Sequence, residues 1–264
     1  MNKVAMLTTV ANFDLYHKSN PLFNISYDRF VIDGRNGMHG IHSILYMMRK
    51  FKNLDYDYII MADEDFILKS NTALENLLDY MKTNDIVVSG VRDGGMINHR
   101  NYNPFCINTF FSVLDLKKVK QIWNEKEMLS NQRIDKDEFY LDEEMPHDFD
   151  VESLYEPYYC FYLWLLRRGE KIKYLNSKTL IENNDDITNI VCDDNEKIIG
   201  FHSWYARSYG VNKKHTDRID LLLNKIERSN LSKVDYVLWK DVSFKCIQTI
   251  NKFFRKVKMK LKLT

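Results

Sequence analysis

The chain has 264 residues, 45% of them hydrophobic, and a formal net charge of +1. That is enough apolar material for one large core, or one core with an appendage. Four cysteines (Cys106, Cys160, Cys192, Cys246) fall without CxxC spacing, which excludes a zinc or disulfide framework and fits a reducing compartment. Residues 244–264 hold seven basic residues and no acid, so the remainder carries about −6, which argues against a nucleic-acid surface on the body.

Lys3–Val10 reads as a first strand and Phe30–Asp33 as a second, running into Gly34-Arg35-Asn36-Gly37. Ile41, Ile44, Leu45 and Met48 recur at helical spacing and predict an amphipathic helix from Gly40. Tyr58–Ala62 is β-rich, apolar and too short for a helix, and it ends in Asp63-Glu64-Asp65. In open α/β sheets, ligands bind outside the carboxyl ends of strands, and hard oxygen donors gathered there suit Mg²⁺ or Mn²⁺ holding a phosphate. Period-2 geometry sends Asp63 and Asp65 to one side and Glu64 to the other. A solvated acidic turn is the plain alternative.

Thr72-Ala73-Leu74-Glu75 has the form of a capping box, followed by a stripe of Leu74, Leu77, Leu78 and Met81. Asp85–Val91 and Ile107–Leu114 read as strands, and Lys117–Lys126 as a short helix. Residues 134–156 are acid-rich and read as a long loop. Tyr158–Arg168 predicts a buried helix stopped by Gly169, and Lys171–Leu175 another strand. Residues 182–196 are polar and read as a surface loop. Strands alternating with helices indicate an α/β fold with a largely parallel sheet.

Past Gly210 the pattern turns helical: Ile219, Leu222, Leu223 and Ile226 mark one helix. A second is expected from about Val234 into the tail, with Phe244, Ile247, Ile250, Phe254 and Val257 on one face and lysines between. Such a helix lies in a membrane interface, or packs on the domain with a solvated basic face. The apolar run at the start is too short for a signal peptide, and no run is long enough to span a bilayer. A cytoplasmic protein, peripheral on the inner face of the cell membrane through residues 244–264, is the expectation.

This order of elements resembles the GT-A glycosyltransferases, the nucleotide-sugar-dependent enzymes of the inverting family-2 type, over about residues 1–205. Four places carry the resemblance. Asp63-Glu64-Asp65 looks like the DxD motif, which implies that Asp65 holds the metal, Mn²⁺ or Mg²⁺, and Asp63 the ribose and phosphate. Val31-Ile32-Asp33-Gly34-Arg35 resembles the segment that contacts the nucleobase, so Asp33 and Arg35, with Thr8 of the first strand, are the donor-binding candidates. An Asp-Gly turn explains Asp33 equally well. Glu156-Pro157 before the aromatic helix is similar to the family's Glu-Asp pair, with Pro157 in place of the second acid. Glu156 is thereby the candidate base, with Asp150 and Glu152 as rivals. Gly200-Phe201-His202-Ser203-Trp204-Tyr205-Ala206-Arg207 resembles the late segment whose His completes the metal site, which makes His202 a metal candidate beside aromatics able to stack on a sugar. His39 and His42 lie one helical turn apart without a third zinc ligand nearby. His99 and His147 sit in loops.

The resemblance implies a GT-A catalytic domain over residues 1–210 and a helical extension over 211–264. It implies transfer of a sugar from a nucleoside-diphosphate donor, UDP-sugar favoured, to a hydroxyl of a glycan or lipid-linked acceptor, with inversion, in bacterial surface polysaccharide synthesis. The alternatives are a sugar-phosphate nucleotidyltransferase and a non-catalytic, membrane-bound nucleotide-binding scaffold. Thr8-Thr9-Val10-Ala11-Asn12 stands where a nucleotidyltransferase wants a Gly-rich loop.

Overall fold

Alternating strands and helices build a sheet that is covered on both faces. The structure is a computed structural model and describes residues 3–141, 144–182, 185–226 and 234–250. The strands are β1 (Val4–Val10), β2 (Asp28–Asp33), β3 (Tyr58–Ala62), β4 (Phe66–Leu68), β5 (Ile86–Arg92), β6 (Gly94–Ile97), β7 (Arg100–Asn101), β8 (Ile107–Asp115), β9 (Lys171–Thr179), β10 (Asn189–Cys192), β11 (Ile198–His202) and β12 (Val237–Trp239). The helices are α1 (Phe13–Ser19), α2 (Ile41–Phe51), α3 (Asn71–Asn84), α4 (Leu116–Ile122), α5 (Glu125–Leu129), α6 (Tyr159–Arg167) and α7 (Lys213–Asn224).

Ten strands join in the order β12-β2-β1-β3-β8-β5-β9-β10-β11-β4, while β6 and β7 pair apart from them. β12, β2, β1 and β3 are parallel; β8 runs against both β3 and β5; β9 is parallel to β5. β10, β11 and β4 continue the sheet as antiparallel strands. This is the expected α/β class with a mostly parallel sheet, and β8 is the reversed strand in its middle. Because β8 is reversed, its first residues lie beside the carboxyl end of β3.

Successive residues of a strand serve opposite faces. Met6, Tyr58, Ile60 and Ala62 join one core with Leu15 of α1, Leu74 and Met81 of α3, and Ile219 and Leu222 of α7. Ala5, Leu7 and Ile59 join the other with Ile44, Met47 and Phe51 of α2 and with α6. Every residue from Tyr159 to Leu165 of α6 is buried, and this helix has no side-chain N-cap. Burial explains why it holds: each large apolar side chain contributes about 1.5–3 kcal/mol, against about 1 kcal/mol for a cap.

Several local expectations are corrected. The cap of α3 is Ser70, whose hydroxyl accepts from the Ala73 amide at 3.1 Å; Glu75 instead accepts from Asn24. The helix expected over 117–126 is two, because Asn124 leaves the helix and caps α5. The loop expected over 182–196 contains β10. Val234 does not begin a helix: β12 forms beside β2, and helix resumes only at residues 244–250. After residue 210, α7 contributes to the first core and β12 to the sheet. Phe244 is buried against His42, with ring centroids 5.2 Å apart, whereas Ile247 and Ile250 are exposed. Residues 251–264 of the basic tail, with Phe254 and Val257, lie outside the described residues.

Gly200 of β11 is pressed onto β4. A Cβ there would lie 2.6 Å from Cζ of Phe66 and 2.8 Å from the Ile67 carbonyl oxygen. Gly200→Ala is expected to cost about 1–3 kcal/mol through overpacking, read as a lowered urea midpoint. An unchanged midpoint would mean that β4 gives way freely.

Candidate active site

The acidic triplet does not continue its strand. β3 ends at Ala62, and the Phe66 amide donates to the Asp63 carbonyl at 3.0 Å, closing a turn. Period-2 alternation therefore fails here, and all three side chains line one cleft. Glu64 is 4% and Asp65 5% exposed. The Glu64 carboxylate accepts from the amides of Ala11 and Asn12, both at 2.8 Å. Asp65 lies 3.3 Å from Nε2 of His202 and accepts from the Ala206 amide at 3.3 Å, while its carbonyl accepts from the Ser203 amide at 3.0 Å. Burial, then the neighbouring acids, push the Asp63 carboxyl well up. Burial, then Asp65, push Glu64 up to about 7. At Asp65 burial works the same way, but the His202 charge and hydrogen bonds outweigh it and hold the carboxyl below its usual value.

The cleft encloses about 600 Å³ on the α2 side of the sheet, at the carboxyl ends of β1 and β3 and the start of β8. Leu7, Thr9 and Ala11 of the β1 end, Gly34 after β2, and Asn108 and Phe110 of β8 line it. Asp63, Asp65, His202 and Glu156 are all brought to it. Thr8 is not: one residue of register turns Thr9 into the cleft and buries Thr8 on the opposite face, where its hydroxyl has no partner among the described residues. Asp33 and Arg35 stand beside the cleft rather than in its lining. Arg35 binds both Asp33 oxygens, at 2.8 and 2.7 Å, and its guanidinium lies over the Phe13 ring. Of the three candidate bases, Glu156 lines the cleft, while Asp150 and Glu152 are exposed on the loop before it.

Glu156 is held by a network that sequence reasoning missed. Arg100 donates to it at 3.1 Å and grips Asp93 with two bonds of 2.7 Å. Asp93 is fully buried and also accepts from Asn108 at 2.6 Å, Tyr158 at 3.1 Å and Tyr159 at 2.5 Å. Burial, and then the Asp93 charge, push both tyrosine hydroxyls up, so they remain donors. The sequence signal was Asp93 at the end of a strand beside two glycines, but its partners lie 7 to 66 residues away.

The segment after β11 closes the cleft's other wall. Trp204 and Tyr205 both have positive φ, 57° and 63°, a conformation that costs a bulky residue energy. The Asp65 bonds described above fix it there, and the Asn12 side chain donates to the carbonyls of Ala206 and Tyr209 at 2.9 and 2.8 Å. The Trp204 ring packs on His202 and His99, and His202 stacks on Phe110 at 4.0 Å. Arg207 reaches His39, 3.4 Å away, and both line the cleft that holds the acids; burial, then the Arg207 charge, lower the imidazole's affinity for a proton, so the pair brings one cation, Arg207. His42 is turned to Phe244 rather than paired with His39 for zinc.

Among the described residues, no group of three or more His, Cys, Asp or Glu is placed to hold a metal ion by itself. The donor set nevertheless fits a divalent ion completed by a ligand's phosphates: Mg²⁺-type sites commonly use one or two carboxylates plus phosphate oxygens. Asp65 and His202 are adjacent, Asp63 faces the same space, and Nδ1 of the buried His202 has no hydrogen-bond partner among the described residues.

No protein-family model matches the sequence, and no curated protein matches it. Solved structures resemble it distantly. The mannosyltransferase PcManGT from Pyrobaculum calidifontis, in complex with GDP-Man and Mn²⁺, is 7% identical with a TM-score of 0.35, over 46% of each chain. S. aureus TarS 1–349 is 10% identical, TM-score 0.30, over 46% of this chain and 49% of that one. The catalytic domain of Drosophila beta1,4-galactosyltransferase 7, in complex with xylobiose, is 12% identical, TM-score 0.40, over 87% and 82%. The chain thus spans about half the length of the first two. Likenesses this distant decide nothing about chemistry.

Arg100→Met would leave the Asp93 carboxylate buried without its counter-ion. The expected loss is about 3–5 kcal/mol in urea unfolding, against a much smaller shift for Lys178→Met at the solvent-screened, exposed Lys178–Glu196 pair. Equal effects at the two positions would remove Asp93 from its central place.

Proposed function

We propose that this chain is a cation-assisted glycosyltransferase that moves a sugar from a nucleoside-diphosphate donor to an acceptor hydroxyl. The observation that carries the reading is the acidic turn at the carboxyl end of β3 sharing one cleft with Glu156. The outline is that of a GT-A enzyme. Asp65 and His202 would hold Mn²⁺ or Mg²⁺, with Asp63 toward the ribose and phosphate, and the bound ion would neutralise charge on the diphosphate as it leaves. Thr9, Ala11 and Gly34 form the nucleoside end, where backbone can approach closely. Arg207 and His39 line the same cleft and suit phosphate oxygens. Glu156, oriented by Arg100, accepts the acceptor hydroxyl's proton. That oxygen attacks the anomeric carbon opposite the diphosphate, the sugar–phosphate bond breaks with its electron pair, and configuration inverts.

Nucleotide binding is the direct test. UDP, the favoured nucleotide, or GDP should raise the unfolding midpoint with Mn²⁺ present and much less without it, and Asp65→Asn should abolish the difference. Glu156→Gln should keep that binding and lose roughly 10²–10⁴ in transfer rate, the usual effect of removing a general base. Absence of any nucleotide shift sinks the donor reading. Binding without turnover in the wild-type chain would favour the scaffold.

The proposal extends to a glycan or lipid-linked acceptor at an anionic membrane surface, as in bacterial surface polysaccharide synthesis. Leu238, Val242, Ile247 and Ile250 are 46%, 81%, 48% and 52% exposed, close to the basic run. Phe244 anchors this segment beside His42, one helical turn from the cleft residue His39. Truncation after Ile250 keeps Phe244 and removes six basic residues. At about 1 kcal/mol for each basic group near an anionic surface, it should abolish binding to phosphatidylglycerol vesicles at low salt and leave nucleotide binding intact. Undiminished vesicle binding would refute the membrane role of the tail.

A further inference from the structure

The residue before Glu156 has a ring that the mechanism above does not use. Tyr155 is 62% exposed, yet its ring is held in one orientation. It stacks on Tyr102 with centroids 4.1 Å apart and planes within 5°. Tyr102 is itself anchored: it packs against the core on the α2 side, and the Arg100 guanidinium lies 4.5 Å from its ring centre. The loop carrying Tyr155 is fixed by the buried Asn103, whose amide donates to the carbonyls of Val151 and Ser153 at 3.0 and 3.2 Å. The Asp150 amide donates to the Tyr102 carbonyl at 3.0 Å. One face of Tyr155 is covered by Tyr102, and the ring remains open to solvent elsewhere.

Arg100 touches both the Tyr102 ring and the Glu156 carboxylate, so the stack and the candidate base belong to one rigid unit. Of that unit Glu156 enters the cleft, tied through Arg100 and Asp93 to Asn108 at the β8 end, while the Tyr155–Tyr102 stack stands outside the cleft lining. An aromatic face is electron-rich and attracts the weakly positive C–H groups on the flat side of a sugar ring. A ring already fixed by stacking loses little freedom on binding. Asp148, Asp150 and Glu152 are exposed on the same loop and disfavour an anionic ligand.

We propose that Tyr155 is the floor of an acceptor subsite that receives a neutral pyranose ring and sets its hydroxyl toward Glu156. The proposal rests on the assignment of Glu156 as base. It makes the acceptor a sugar, rather than a side-chain or lipid hydroxyl.

Ligand-observed saturation-transfer NMR tests this with methyl pyranosides of glucose, galactose, N-acetylglucosamine and xylose, and with methyl glucuronide as the anionic control. It is run with and without UDP and Mn²⁺. Aromatic saturation should reach the ring protons of at least one neutral glycoside, and more weakly those of the glucuronide. Tyr155→Phe should keep the signal, because it keeps the face. Tyr155→Ala and Tyr155→Leu should weaken affinity roughly 3- to 10-fold, the range expected for loss of one stacking contact. The leucine variant still covers Tyr102, so a fold defect in the alanine variant does not decide the result. No transfer to any glycoside, or equal affinity in the leucine variant, overturns the proposal. A chain that binds glycosides through Tyr155 but no nucleotide loses the donor reading and keeps the subsite.

Discussion

A buried carboxylate has to be supplied with donors, and at residues 64 and 65 those donors come from distant parts of the chain. Glu64 draws in the amides that follow β1, and Asp65 draws in the segment that follows β11. The Ser19 hydroxyl also donates to the Glu64 carbonyl, at 2.8 Å. Three segments, the farthest 141 residues from it, are thus tied to one turn. An unsatisfied buried charge would cost several kcal/mol, more than any single surface contact returns. The same constraint explains Trp204 and Tyr205: their unfavourable φ values persist because the bonds to Asp65 on either side over-determine the backbone.

A second buried acid organises the opposite wall. Asp93 gathers a guanidinium, an amide and two phenols; Asn108 of that cluster lines the cleft itself, and Arg100 extends from it to Glu156. Burial opposes the Arg100 charge, but Asp93 and Glu156 hold its proton more firmly than usual. The cleft is therefore framed by two rigid polar centres: one carries the oxygen donors for a cation, the other orients a carboxylate able to take a proton. Preorganisation of this kind belongs to catalysis more than to stability, since apolar side chains of similar volume would fill the space at lower cost.

How much of this was legible in the sequence follows from the range of the interactions. Period-2 and period-3.6 patterns are local, so β1, α2, β3, β5, β8 and α6 were readable, as was the acidic turn at the end of β3. Thr8 failed because a single residue of register exchanges the two faces of a strand, and nothing within Thr8-Thr9 says which threonine faces α2. The cap of α3 failed because Ser70 and Thr72 are both plausible from composition, and only packing selects Ser70. β10 and β12 are too short and polar-flanked to announce themselves; they form because neighbouring strands leave an edge to pair with. The Asp93 network was invisible for the same reason: its parts are unremarkable alone and meet only when β5, β7, β8 and α6 converge.

The carboxyls of the acidic turn oppose one another in charge. Burial and mutual repulsion raise the carboxyls of Asp63 and Glu64, and for Glu64 the folded value, near 7, lies above that of a free carboxyl. Ionising Glu64 then works against the fold: its stabilising effect is present below the free-carboxyl range and is lost as pH rises through about 7. Asp65 behaves oppositely, because His202 and the loop amides favour its anion. Adjacent groups on one turn thus have opposed preferences when no ligand is bound. A cation placed among them would favour every ionised form at once. Arg207 in the same cleft disfavours a cation alone but favours one that arrives with an anionic partner. Under the proposed function, that balance would favour a metal–diphosphate pair over either component by itself.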